Sequence, residues 1–329
     1  MRLRLAGIFA AMVLCGWVTP QTNAVAQRTR RPIHPATAEN GGVKNIFWQP
    51  NDLTQGSPAF ITVEFERAPV RVAGTFAGKT LSFFRTSEKN VWHALAGDDL
   101  ETQPGSYDLH ITGVLANGHA VTATKSVEIK PGEFRTGSVE VPENFVEPNA
   151  AEQRQIAVDQ RWKDRAYLHS AAMPLWSGNF VPPVPAHATE SFGESRIMNE
   201  EKSSLHRGTD FPVPEGTPVV VSNSGRVVLA KEMYYEGQCV IVDHGQKLFT
   251  IYMHLSKTDV NVGDRLRKGD RIGLSGATGR VTGPHTHVGV RWNGAYLDPV
   301  KLLALTLPNI RHEEPARRTT RVRTRRSRR

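Results

Sequence analysis

Five side chains in the C-terminal half of this 329-residue chain have the types and spacing that metal-assisted hydrolysis requires. They are His206, Asp210, His254, His285 and His287. A catalytic zinc takes three imidazole or carboxylate ligands and keeps a fourth position open for water. Imidazoles that are left over can transfer protons near neutral pH. A single His-x-His pair is explained about equally well by a metal site and by two solvated surface histidines. The segments around these residues are therefore needed to distinguish the two interpretations.

The last two histidines lie in a stretch, 282–294, whose side chains alternate between polar and apolar and include β-branched and aromatic residues. This pattern predicts a half-buried strand. Since alternate side chains of an extended chain share a face, His285 and His287 are expected on one face, with Val290 and Trp292 packed behind them. Core packing does not explain two imidazoles on one face.

The other three residues also lie in segments with an extended pattern. Alternation over 247–255 predicts a strand that holds His254 on its polar face. The segment 205–211 contains a glycine and precedes a proline, which argues against a helix. In an extended segment, the four-residue spacing places His206 and Asp210 on the same side.

These motifs together resemble the lysostaphin-type (LytM-like) zinc metallopeptidases. The resemblance covers roughly residues 187–300 and rests on the order and spacing of His206-x-x-x-Asp210, Tyr252-x-His254-Leu255 and Thr282-Gly-Pro-His285-x-His287, with Ser191-Phe-Gly upstream and the Arg-Lys-Gly-Asp-Arg-Ile-Gly run of 267–273 between. It implies an antiparallel β-sheet domain with one Zn²⁺ in a groove. It also implies hydrolysis of the peptide cross-links of bacterial peptidoglycan.

The resemblance also assigns roles to the five residues. His206, Asp210 and His287 are expected to be the zinc ligands, and His254 and His285 the catalytic pair that assists attack by a zinc-bound hydroxide. A non-enzymatic cell-wall-binding regulator on the same fold is the alternative, but the presence of all five residues favours the enzyme. The chain contains no His-Glu-x-x-His motif, so a zincin with a glutamate base is excluded.

The rest of the chain predicts a mainly β protein with a helical connection. The predicted divisions are a signal peptide at 1–26, a flexible lead at 27–42, an immunoglobulin-like β-sandwich at 43–135, a helical and proline-rich linker at 136–186, the zinc metallopeptidase domain at 187–305 and a basic disordered tail at 306–329. The sandwich prediction rests on several short alternating runs.

Two local signals refine the predictions for these regions. Asn117-Gly118 lies between two strand-like runs and predicts a hairpin with a type I′ turn, in which both central residues have positive φ. Asn149 is a good N-cap for a connecting helix over 149–170. In that helix, Val158, Trp162 and Ala166 recur every four residues and predict the packing stripe.

The formal net charge of +9 is concentrated at the chain ends. Residues 311–329 contain nine Arg and two Glu, a composition typical of a solvated tail that could also bind an anionic envelope polymer. Nucleic acid is an unlikely partner because the body of the chain lacks a basic face and an aromatic stacking motif. After signal cleavage the chain would act in the periplasm or outside the cell, without a transmembrane anchor. Only Cys239 would remain, which excludes an internal disulfide.

Overall fold

The structure of the protein is a computed structural model that describes residues 39–40, 42–200 and 202–310. The predicted signal peptide, nearly all of the predicted lead and residues 311–329 of the predicted tail lie outside the described residues. The chain is mainly β, as expected from the sequence. Among the described residues, no helix has both the length and the apolar composition needed to cross a membrane.

The N-terminal region contains two β-sheets. Its strands are β1 (Glu39–Asn40), β2 (Val43–Gln49), β3 (Leu53–Thr54), β4 (Pro58–Phe65), β5 (Arg71–Phe76), β6 (Lys79–Leu81), β7 (Val91–Gly97), β8 (Gly105–Val114) and β9 (Ala120–Lys130). One sheet has the order β1-β9-β8-β5-β6, with β3 also paired to β9, and the other has the order β2-β4-β7. Alternate side chains of both sheets, such as Val63, Leu95 and Ile111, form a common core. The immunoglobulin-like character of this region stays a prediction.

The hairpin predicted at Asn117-Gly118 joins β8 to β9, but its turn differs from the prediction. Gly118 has a φ of 85°, whereas Asn117 is not among the residues with positive φ. The amide of Gly118 donates to the carbonyl oxygen of Leu115 and that of Leu115 to the carbonyl oxygen of His119. The loop is therefore longer than a two-residue type I′ turn, because only the glycine takes the left-handed conformation.

The segment predicted as a linker contains a strand that the sequence did not reveal. After β9 come β10 (Thr136–Val139), a 3₁₀ helix (Glu143–Phe145), α1 (Ala150–Tyr167), β11 (Ser195–Met198) and β12 (Lys202–Leu205). β10 runs parallel to β11, which pairs with β12 in an antiparallel hairpin. The sequence indicated only helical and proline-rich segments here, and β10 was missed because its parallel partner lies almost 60 residues further along the chain.

The connecting helix α1 begins where predicted. The side chain of Asn149 accepts hydrogen bonds from the amides of Ala151 and Glu152, and the carboxylate of Glu152 accepts one from the Asn149 amide. This reciprocal pattern is a capping box.

The predicted packing stripe of α1 is only partly confirmed. Ala166 is buried as expected, but Trp162 is 41% exposed, and the helix is anchored as well by buried Asp159 and by Lys163. Asp159 accepts a hydrogen bond from the amide of Tyr234, and Lys163 pairs with Glu236. Polar pairs, which a hydrophobic pattern does not show, set the orientation of the helix.

The C-terminal region is built on a seven-stranded antiparallel sheet. Its elements are β13 (Thr209–Phe211), β14 (Pro218–Val220), β15 (Gly225–Met233), β16 (Gly237–Asp243), β17 (Leu248–Leu255), β18 (Lys257–Thr258), β19 (Arg265–Leu266), β20 (Arg271–Leu274), β21 (Thr286–Trp292), β22 (Ala295–Leu297) and α2 (Pro299–Ala304). The large sheet has the order β13-β21-β17-β16-β15-β19, with β22 on β21, and a small sheet has the order β14-β20-β18.

The central strand β21 is buried on both faces rather than half-buried. Val290 and Trp292 join the core of the N-terminal sheets, as the predicted packing from behind requires. The opposite face is covered as well: His287 and Gly289 are buried, and the guanidinium of Arg291 stacks 4.2 Å from the ring of Tyr167 on α1.

The N-terminal sheets and the C-terminal sheet share this core. A Cβ added at Gly97 on β7 would lie 2.7 Å from a methyl carbon of Leu297 on β22. The amide of Asp298 donates to the carbonyl oxygen of Gly56. The N-terminal region thus packs on part of the back of the large sheet, and a cleft lies on the opposite face beside the part that α1 covers.

Candidate metal and catalytic site

Three of the predicted residues converge on one point. The strands β13 and β21 place Asp210 directly opposite His287, and His206 lies just before β13. Nε2 of His206 is 2.9 Å from Nδ1 of His287, and these nitrogens are 3.2 Å and 3.0 Å from Oδ1 of Asp210. A tetrahedral ion with bonds of about 2.0–2.1 Å separates its ligand atoms by about 3.3 Å. The donor set and its spacing therefore fit a zinc ion held by these three side chains.

The surroundings orient these donors. Nδ1 of His206 donates to the carbonyl oxygen of Ser191, at 2.7 Å, which leaves the lone pair of Nε2 facing the cluster. Oδ2 of Asp210 accepts a hydrogen bond of 2.7 Å from Arg196, whose guanidinium also bonds Glu194. Burial alone would raise the pKa of Asp210, but the close contacts of its carboxylate with His206 and His287 hold this pKa well below the usual value. The carboxylate is therefore charged and ready to bind a cation.

His254 reaches the site through a β-bulge that the alternation pattern did not predict. Between the pairs Gln238–Leu255 and Val240–Tyr252, β17 has one more residue than β16. His254 has a φ of 62°, a left-handed conformation that is rare for residues other than glycine.

The bulge changes the face on which His254 lies. Tyr252 and Leu255 both join the core behind the sheet, whereas Met253 and His254 both line the cleft in front. Strict alternation would have placed His254 beside Tyr252, on the face opposite His287. Bulges next to active sites commonly redirect a side chain in this way.

The predicted strand of 282–294 included His285, but this residue lies just outside the observed strand. β21 begins at Thr286, and the backbone of His285 forms an isolated bridge with Gly276. Its Nε2 is nevertheless 3.5 Å from Oδ1 of Asp210, and its ring centroid is 4.9 Å from that of His254. The structure therefore brings all five predicted residues together.

His254 and His285 share one tautomer. Nδ1 of His254 donates to the carbonyl oxygen of Thr278 at 2.9 Å, and Nδ1 of His285 donates to that of Gly283 at 2.8 Å. Each ring then carries its lone pair on Nε2. Burial, with the neighbouring His287 and His285, lowers the pKa of His254 to about 3, and burial lowers that of His287 to about 4. Both rings are neutral at pH 7, as proton acceptors and metal ligands must be.

These residues lie in a cleft with a volume of about 550 Å³. One wall is formed by the loop 280–285, and another by Val139, Arg196 and Met198 of the β10–β12 sheet. Within the described part of the chain, no residue before Val139 lines the cleft. The N-terminal sheets therefore leave the cleft open, while the segment predicted as a linker helps to shape it.

Gly208 was expected only to disfavour a helix, but its lack of a side chain also leaves room for the imidazole ring of His287. A Cβ at this position would lie 2.4 Å from Nε2 of His287 and 2.5 Å from the carbonyl oxygen of Val288. Arg196 is the other functional residue that sequence reasoning missed. A glycine between two ligand residues is a visible signal, whereas nothing in the sequence near Arg196 connects it to Asp210.

Comparison with known proteins agrees with this geometry. The family model described as Peptidase family M23 matches residues 204–299. Peptidoglycan DD-endopeptidase ShyA of Vibrio cholerae serotype O1 is 46% identical over 103 residues, which are 31% of this chain and 23% of ShyA. DD-carboxypeptidase/endopeptidase Mpg of Neisseria meningitidis serogroup B is 38% identical over 138 residues, 42% of this chain and 32% of Mpg.

A crystal structure from Pseudomonas aeruginosa, described as a peptidase M23, is 27% identical and superimposes with a TM-score of 0.57. It covers 76% of this chain, and the match covers 94% of that protein. The chain spans less than a third of the length of ShyA and Mpg. Residues 204–299 are therefore a peptidase family M23 (LytM-like) domain.

Proposed function

We propose that the protein is a zinc-dependent endopeptidase that hydrolyses peptide cross-links of bacterial peptidoglycan. The observation that carries the proposal is the convergence of three donor atoms and two further imidazoles in one open cleft. The names of ShyA and Mpg support peptidoglycan as the substrate. Action on peptidoglycan in turn supports the predicted export to the periplasm or the cell exterior.

The ligands in this proposal are His206, Asp210 and His287. Bound there, a zinc ion would supply a positive charge that makes a water molecule acidic and polarises the scissile carbonyl. The carboxylate of Asp210 matches that charge, and Arg196 and Ser191 fix the orientation of the ligands.

His254 and His285 act as the catalytic pair. Each ring holds its proton on Nδ1 through a main-chain carbonyl, so each Nε2 can take a proton from the attacking water. The proton taken from the water can then be passed to the nitrogen of the departing amine. Water and a peptide bond are thereby converted into a carboxylate and an amine.

The regulator without enzymatic activity remains the alternative, and one experiment separates the two. The full chain is incubated with a defined cross-linked muropeptide, and the new termini are identified by mass. His287→Ala should lose zinc and activity together. His254→Ala should keep zinc and lose about 100- to 10,000-fold in kcat.

A matched control is His110→Ala, since His110 is exposed on the N-terminal sheet and bonds only to Thr124 and Asp108. This variant should retain both zinc and rate. Hydrolysis that persists undiminished in His287→Ala would contradict the ligand assignment. Loss of zinc in His254→Ala would show that the roles are misassigned. Absence of hydrolysis by the zinc-loaded wild type would favour the regulator.

A further inference from the structure

Most of the charged side chains that line the cleft are paired. Arg196 bonds both Glu194 and Asp210. Glu236 pairs with Lys163, and the guanidinium of Arg207 lies 3.0 Å from Glu101.

Arg280 is the exception. It lines the cleft a few residues before His285, and among the described residues no acidic side chain lies within 4.0 Å of its guanidinium. This group is half-buried, so it has lost part of its hydration without gaining a counter-ion.

The position of Arg280 is fixed by its surroundings. Its guanidinium stacks 4.6 Å from the ring centroid of Tyr235, and its amide donates to the carbonyl oxygen of the same residue. Gly279 and Gly237 allow the loop that carries Arg280 to pack directly against the β15–β16 turn. A Cβ on Gly279 would lie 2.4 Å from the amide nitrogen of Gly237. The neighbouring carbonyl, that of Thr278, bonds His254. Arg280 is therefore held beside the catalytic pair.

This arrangement is suited to one kind of ligand group. A guanidinium stacked on an aromatic ring keeps its N–H donors in the plane, where a carboxylate can accept two parallel hydrogen bonds. An amide offers a single neutral acceptor and gains much less. Burial lowers the pKa of Arg280, although the nearby Tyr235 and Glu236 act in the opposite direction, so an anion bound directly at the guanidinium would offset its lost hydration.

We propose that Arg280, stacked on Tyr235, binds a free carboxylate of the peptide substrate and makes the enzyme selective for carboxylate-bearing over amidated peptides. The inference rests on the endopeptidase function proposed above. Such a carboxylate can be the terminus of a peptide or an acidic side chain within it. Both sources offer the same chemistry, and substrates amidated at one position at a time distinguish them.

The test uses the full chain and three synthetic cross-linked peptides: one with both carboxylates free, one with an amidated terminus and one with an amidated side chain. In the wild type, one amidation should lower kcat/KM by about 10- to 100-fold, the range for a hydrogen bond to a charged group. In Arg280→Gln the ratio of kcat/KM for the free substrate to kcat/KM for the amidated substrate should fall towards one. Arg280→Lys, which keeps the charge without the planar fork, should give an intermediate ratio.

Arg207→Gln is the matched control, because Arg207 also lines the cleft but already has an acidic partner. Its ratio should remain within about twofold of the wild type, as expected for the loss of an exposed ion pair. A wild-type ratio in Arg280→Gln, or a wild type indifferent to both amidations, overturns the inference.

A binding measurement separates this inference from the proposed function. Fluorescence anisotropy of the uncleaved peptides is recorded with His254→Ala, alone and combined with Arg280→Gln. If the wild type hydrolyses the peptides but Arg280→Gln changes no ratio in rate or binding, the inference alone fails. If nothing is hydrolysed but carboxylate-dependent binding is lost in the double variant, the endopeptidase function fails and the carboxylate site stands. If neither hydrolysis nor carboxylate-dependent binding occurs, both fail.

Discussion

Replacing Gly208 by alanine should weaken zinc binding although Gly208 provides no ligand atom. The added Cβ would lie 2.4 Å from Nε2 of His287 and 2.5 Å from the carbonyl oxygen of Val288, whereas ordinary contacts begin at 3.4 Å. The imidazole ring and its strand must therefore retreat by about 1 Å. Since ligand distances tolerate only about 0.2 Å, this displacement removes His287 from the coordination sphere or strains it severely.

The expected result is a zinc dissociation constant raised by about 10- to 100-fold, the usual effect of losing the support of a ligand. Gly289→Ala is the matched control. Gly289 follows His287 by two residues on the same strand, and its Cβ would make ordinary contacts of 3.4 Å with Ile251 and 3.5 Å with Arg207. This variant should bind zinc within about twofold of the wild type, because these contacts need no rearrangement.

Competition against a fluorescent chelator measures the dissociation constants of both variants. Thermal unfolding with and without zinc gives a second measure, because a bound ion raises the midpoint according to its affinity. Circular dichroism of the zinc-free chains shows whether Gly208→Ala still folds. Equal zinc affinity of a folded Gly208→Ala variant and the wild type would refute the argument that this glycine makes room for the ligand ring.

Two further predictions concern stability. Burial lowers the pKa of His244 to about 4, against about 6.5 in an unfolded chain. Between these values the unfolded chain binds more protons, so stability should fall as the pH drops below about 6.5. Urea unfolding in the presence of a chelator gives the free energy of unfolding at each pH. The slope of this free energy against pH should be about 1.4 kcal/mol per pH unit smaller in His244→Gln than in the wild type. Equal slopes in the two proteins would contradict the prediction. Asn149→Ala, which removes the cap of α1, should cost about 1 kcal/mol, whereas exposed Arg161→Ala in the same helix should cost less than about 0.5 kcal/mol. Similar losses of stability in the two variants would contradict a stabilising role of the Asn149 cap.

The sequence predicted the strands of the site well because the residues that alternate with their apolar side chains include functional ones. β21 is long and regular, and its apolar face fixes which way His287 points. The family motifs then identified all five residues that the structure brings together. Similar patterns predicted extended segments at β13 and β17, but the pairing that places Asp210 opposite His287, 77 residues further along the chain, is a long-range contact.

Other features depend on contacts that no local pattern records. The bulge at His254 requires a positive φ at a residue other than glycine, and only the surrounding hydrogen bonds impose it. The orientation of α1 is set by Lys163 and Glu236, residues 73 positions apart. Arg196 reaches Asp210 across the cleft from a hairpin outside the matched family region. Each of these is a tertiary effect that overrides local propensity.

The pairing of β10 with β11 bears on how the catalytic part of the chain can be dissected. A shortened protein starting at residue 187, the predicted domain boundary, would lack β10. The main-chain donors and acceptors of Ser195–Met198 on that side would then be unpaired, and an open strand edge invites association with other chains. A fragment that begins no later than Thr136 keeps the edge covered and the wall beside Arg196 intact. The edge of β11 and the wall of the cleft beside it therefore depend on residues some 50 positions upstream of the predicted boundary at 187.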